Sequence, residues 1–138
     1  MVRRLRGTVL VAATLATLVL AGCEETMNNV VPDPEQITVT FTGTLTVNAA
    51  FTHRFTTRGA GEITVTLDAF GPAGAENVAI ALGVWTGASC NLIIVNDNAA
   101  VDATLLGTGT ASGEFCARIY DVGRLAAPAT YTLEVTHF

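Results

Sequence analysis

The stretch Ile37-Thr38-Val39-Thr40-Phe41-Thr42-Gly43-Thr44-Leu45-Thr46-Val47 decides the fold class of this 138-residue chain. Ile37, Val39, Phe41, Leu45 and Val47 fall on one phase of a two-residue period, and the threonines fall on the other. An extended backbone points successive side chains to opposite faces, so this alternation lays an apolar face and a hydroxyl face along one strand. Isoleucine, valine and threonine are β-branched and suit that half-buried pleated state. Gly43, on the apolar phase, marks a bulge or the close approach of another segment.

Downstream the same period recurs. Phe51, His53 and Phe55 alternate with Thr52, Arg54 and Thr56, and Arg58-Gly59-Ala60-Gly61 turns the chain. Ile63, Val65, Leu67 and Ala69 then alternate with Glu62, Thr64, Thr66 and Asp68, before the turn at Gly71-Pro72-Ala73-Gly74. Residues 78–85 are apolar on both phases, the mark of a central strand covered on both sides. Residues 90–95 predict a fifth strand, closed by Asn96-Asp97-Asn98, and residues 103–106 a short sixth. Residues 113–120 and 130–136 complete the set, and no segment after residue 36 keeps a helical period. The expectation over residues 37–138 is an all-β fold: a single small antiparallel β-sandwich, jelly-roll-like, of seven or eight strands.

Upstream, residues 24–36 (Glu-Glu-Thr-Met-Asn-Asn-Val-Val-Pro-Asp-Pro-Glu-Gln) carry no period and suit a solvated linker. Before them, Arg3, Arg4 and Arg6 precede an apolar run of 16 residues from Gly7 to Gly22, interrupted by Thr8, Thr14 and Thr17. A basic start, a short apolar core and small residues at its end form an export signal, and a spanning helix wants about 20 apolar residues. The end of that run, Leu20-Ala21-Gly22-Cys23, resembles the lipobox of bacterial lipoproteins. The resemblance implies a signal peptide over 1–22, cut before Cys23, and lipid on the thiol and the new amine of that cysteine. Each buried methylene is worth ~0.8 kcal/mol, so several chains would hold the protein on a membrane. In that family an aspartate right after the cysteine favours the inner membrane. Glu24 stands there instead, which points to the outer membrane or cell surface.

Cleavage would change the charge. The seven basic residues fall to four while all twelve acidic ones remain, taking the formal charge from −5 to −8. No lysine occurs. Nucleic acid needs a basic patch, so that partner class is excluded. With Cys23 assigned to lipid, Cys90 and Cys116 are left as a pair that an oxidising compartment would close. Two free buried thiols are the alternative. A metal or redox pair lacks C-x-x-C spacing.

The closing strands carry a second resemblance. Gly113-Glu114-Phe115-Cys116-Ala117-Arg118-Ile119-Tyr120-Asp121, followed by Tyr131-Thr132-Leu133-Glu134-Val135, resembles the last strands of bacterial pre-peptidase C-terminal-type domains, and Ile63-Thr64-Val65-Thr66-Leu67 resembles their early core strand. The resemblance implies a jelly-roll-like sandwich with an accessory role in folding, secretion or substrate binding.

Candidate chemistry is sparse. The only serines, Ser89 and Ser112, fall in loops without a nucleophile motif. His53 lies on an apolar phase as a core or rim residue, and His137 reads as a frayed strand end. No catalytic set is visible, and no cofactor is expected beyond the lipid on Cys23. Asn96, Asp97, Asn98 and Asp102 offer oxygens of the kind calcium takes, and calcium sites occur in some pre-peptidase-type domains. The stretch lacks the EF-hand's glycine and terminal glutamate, so ordinary turn chemistry is the favoured reading and no metal is expected. Trp85, Tyr120, Asp121 and Arg124 would form a ligand surface at one sandwich end. Burial of Trp85 in the core and a local Arg124–Asp121 pair are the alternative. The sequence therefore reads as a lipid-anchored cell-envelope protein and non-enzymatic binding or accessory module for a protein or glycan. A purely structural envelope lipoprotein is the runner-up.

Overall fold

A computed structural model describes residues 35–72, 75 and 77–138. The expected signal peptide over residues 1–22, Cys23 and most of the expected linker lie outside the described residues. Eight strands follow one another: β1 (Ile37–Leu45), β2 (Ala50–Thr57), β3 (Gly61–Gly71), β4 (Val78–Trp85), β5 (Cys90–Ala99), β6 (Thr104–Gly109), β7 (Gly113–Tyr120) and β8 (Ala129–His137). No helix occurs among the described residues.

The strands form two four-stranded sheets, ordered β1-β8-β3-β6 and β2-β7-β4-β5, and every pairing is antiparallel. This order is that of a jelly roll, in which paired strands wrap to face one another as two sheets. The expected all-β sandwich stands, with eight strands. Its core is the layer between the sheets. Leu45, Ile63, Val65, Leu67, Leu105, Tyr131, Leu133 and Val135 enter from the first sheet, and Phe55, Val78, Ile80, Leu82, Ala117 and Ile119 from the second. Alternation supplies these residues, and their burial is the main favourable term holding the sheets together.

Gly43 is a close approach and not a bulge. Its register with β8 is unbroken, and a Cβ there would meet the Tyr131 hydroxyl oxygen at 2.6 Å. Several expectations are corrected. A register shift between Leu67 and Ala69 leaves Asp68 and Ala69 both exposed, and Phe70 packs on the core in place of Ala69. Asn96-Asp97-Asn98 does not end β5, because Asn96 pairs with Ile80 and Ala99 with Val78. β6 runs on to Gly109, and β1 stops at Leu45, leaving Val47 exposed in the turn. His137 is buried, not frayed: it packs on Phe55 at 5.1 Å between ring centroids, and the carbonyl of Phe138 accepts from the Arg58 backbone N–H.

The pairings put the β1–β2, β5–β6 and β7–β8 connections at one end of the sandwich. Ile37, Phe138 and the β2–β3, β4–β5 and β6–β7 connections lie at the other.

Candidate functional site

The four residues expected to share one ligand surface are divided between a face and a loop. Tyr120 and Trp85 both lie on the outer phase of the second sheet: Tyr120 pairs with Ala79, and Trp85 follows six residues along β4. At ~3.3 Å per residue they are about 20 Å apart, so they share a face and not an end. Asp121 and Arg124 belong to the β7–β8 loop.

Asp121 clamps that loop. Its Oδ1 accepts the backbone N–H of Gly123 (2.9 Å), Arg124 (2.8 Å) and Leu125 (3.1 Å), and its Oδ2 accepts that of Asn48 (2.8 Å). Burial pushes this carboxyl up, but the four N–H donors outweigh it and hold the group below its ordinary value. Asn48 and Gly123 both take positive φ (57° and 85°), the tight backbone that brings those donors to bear. The expected pair between Arg124 and Asp121 does not form. The Arg124 guanidinium instead donates to the carbonyl of Asp97 at 2.6 Å and to Asn98 Oδ1 at 3.3 Å.

That contact bears on the calcium candidates. Asn98 Oδ1 also accepts from Asn77 Nδ2, and Asn96 Oδ1 accepts the Asn98 backbone N–H, so these side chains splice β5 to its neighbours. Asp102 sits in the β5–β6 turn at φ 70°. Among the described residues no three His, Cys, Asp or Glu side chains gather as a metal site.

The outer face of the second sheet is a different matter. Arg54 of β2 lies with its guanidinium carbon 4.6 Å from the centre of the Trp85 ring, and it is paired with Glu114 of β7 at 2.7 Å. Arg118 of β7 lies 5.5 Å from the Tyr120 ring centre. Between these two stacks β4 offers only Ala79, Ala81 and Gly83, all buried although they face away from the core. Small residues on the central strand let the arginines and aromatics of the flanking positions fold over it. Trp85 Nε1 and Arg118 Nε are buried there with no hydrogen-bond partner among the described residues. The disulfide Cys90–Cys116 closes on this face, tying β5 to β7 across the end of β4.

Sequence reasoning found Trp85 and Tyr120 but missed Arg54, Arg118 and Glu114. The signal was present: each stands on the polar phase of its strand, and β4 is apolar on both phases, so its outer side also needs cover.

Each histidine packs on an aromatic ring of the sandwich, His137 on Phe55 and His53 on Phe41. His53 stacks on Phe41 at 4.6 Å and shares a 2.8 Å hydrogen bond with the Tyr131 hydroxyl. Burial lowers the His53 pKa and raises that of Tyr131, so both are held neutral. Ser89 closes the β4–β5 turn, its carbonyl accepting from the Thr86 backbone N–H.

No family model matches the chain, and no curated protein matches it. Among solved structures, the fold is similar to that of Aeromonas hydrophila PliG, a periplasmic lysozyme inhibitor of g-type lysozyme. The TM-score is 0.50 at 20% identity, over 72% of this chain and 84% of that one. The likeness is one of fold.

Proposed function

We propose that this chain is an exported envelope protein, anchored by lipid on Cys23, that acts as a non-catalytic module docking a protein on the outer face of its second sheet. One observation carries the reading: Trp85, Tyr120, Arg54 and Arg118 are gathered over the small residues of β4. Tryptophan, tyrosine and arginine dominate the energetics of protein interfaces because each brings large area and a hydrogen-bonding tip. A sugar ring would need an open aromatic face, and the Trp85 ring is covered by Arg54, which favours a protein over a glycan. The likeness in fold to a periplasmic inhibitor, which works by binding another protein, supports the same class of role. The basic start, the apolar run and the Leu20-Ala21-Gly22-Cys23 motif support an envelope location, and Glu24 after the cysteine favours the outer membrane or cell surface.

Two measurements test this. Cys23→Ser should move the protein from the membrane to the soluble fraction, and the mature mass should show cleavage before Cys23 plus acyl chains; an unmodified cysteine sinks the anchor. A photo-crosslinking residue at Thr52, on the proposed face, should capture one reproducible partner in cells. The same residue at Thr42, on the outer phase of the first sheet, should not. Equal capture from both faces, or only abundant neighbours from either, would leave a structural envelope role.

A further inference from the structure

Two groups on this face, Trp85 Nε1 and Arg118 Nε, are buried donors with no partner among the described residues, and Arg118 is the charged one. It pairs across β2 with Thr52 and across β4 with Ala81, so no bulky neighbour stands directly on either side. Its guanidinium is held over the Tyr120 ring, which fixes its orientation. Its Nε is buried with no acceptor, and no carboxylate among the described residues lies within ion-pair distance of it. Buried donors are seldom left unpaired in folded proteins, because the lost water is not replaced. Arg54 is in a different state, since its charge is committed to Glu114. Among the described residues the face therefore offers one cation without an ion-pair partner, on a chain whose formal charge is −5.

We infer that Arg118, stacked on Tyr120, is a subsite for a carboxylate: the Asp or Glu side chain of an acidic segment of the docked protein. A planar guanidinium presents two parallel N–H donors that match the two oxygens of a carboxylate. One arginine without a carboxylate partner among the described residues balances one negative charge. The inference rests on the docking face proposed above and adds the chemistry of its partner.

The test uses the full-length protein in detergent micelles with 15N-labelled arginine. With seven arginines in the whole chain, and four after cleavage before Cys23, the side-chain spectrum is sparse enough to assign by substitution. The Nε–H signal that disappears in Arg118→Gln should move saturably with a hexaglutamate peptide and stay still with hexalysine. Arg118→Lys, which keeps the charge and loses the fork, should bind hexaglutamate about tenfold more weakly or worse. Melting temperatures near that of the parent would show both variants folded. A stationary Arg118 signal overturns the subsite, and so does an equal response to inorganic phosphate, which would mean an adventitious anion only. Crosslinking from Thr52 in cells separates this from the docking face itself. Capture that vanishes in Arg118→Gln supports the subsite. Capture undiminished in that variant overturns the subsite and leaves the face. No capture in the parent overturns both.

Discussion

At the scale of single residues, Asp121 and His53 show how burial and hydrogen bonding divide the work. The Asp121 carboxylate answers four backbone donors drawn from two loops. Asp121→Ala would strand them, and hydrogen bonds to a charged group contribute about 1.5–3 kcal/mol each. A loss of at least about 3 kcal/mol in denaturant unfolding is expected; a loss below ~1 kcal/mol would show that the loops hold without the clamp. His53 sets a pH dependence. Its folded pKa is lowered by burial, so the fold favours the neutral ring. That contribution is fully present above the ordinary value of 6.5 and is lost as the pH falls below it, through the lower folded pKa. Melting temperature should therefore be flat from pH 8 to about 7 and decline below ~6.5. His53→Gln should flatten the decline in that window. Asp121, also lowered, should add its own loss only below its ordinary value of 3.8. The place of His53 on an apolar phase was legible in the sequence. The role of Asp121 was not, because its Asn48 donor lies 73 residues away along the chain.

At the scale of elements, β4 is the strand on which the second sheet depends. Two glycines near it invite different outcomes. A Cβ on Gly83 would lie 2.4 Å from the backbone oxygen of Asn91, and that backbone is itself paired to β4. Gly83→Ala should cost about 1–3 kcal/mol as overpacking that nothing can relieve. A Cβ on Gly107 would meet Leu82 Cδ2 at 2.5 Å and Ile94 Cδ1 at 3.3 Å, both ends of flexible side chains, beside a small cleft of about 40 Å³ lined by Ile63, Leu82, Ile94 and Phe115 among others. Leu82 can swing into that space, so Gly107→Ala should cost less, under ~1.5 kcal/mol. Urea midpoints of the two variants at unchanged slope would check the order, and a larger loss at Gly107 would contradict it. Strand identities and phases were readable from the period of two. Register shifts were not, because Asp68 becomes an extra residue only when β3 must pair with β8 on one side and β6 on the other. The turn chemistry of Asn96-Asp97-Asn98 was likewise overridden by pairing with β4 and by donors from Asn77 and Arg124.

At the scale of the whole molecule, the Cys90–Cys116 bridge closes a 26-residue separation and ties the edge strand β5 to β7. In the chain-entropy account a loop of that length is worth about 3.5 kcal/mol, by restricting the unfolded chain. Cys90→Ala with Cys116→Ala should lower unfolding stability by about that amount, and reductant should affect the parent and not the double variant. An unchanged stability would mean that the native sandwich carries compensating strain. The domain is small, so this single crosslink is a substantial share of the total.

The sequence by itself determined the class of fold and its limits. A two-residue period from Ile37 onward permits only strands with one face to bury, and the cysteine count, with Cys23 expected to carry lipid, pointed to Cys90 and Cys116 as a pair, which the structure bridges. These are local properties, set by backbone geometry and composition. Only the tertiary structure decided which strands are neighbours, and therefore which side chains share a face. Trp85 and Arg54 stand 31 positions apart in sequence yet stack through space. Arg118 has a buried donor without a partner among the described residues, with Thr52 and Ala81 flanking it across the sheet. Such juxtapositions arise from non-local pairing, whose register is fixed by the fit of the whole core and by no single segment of it.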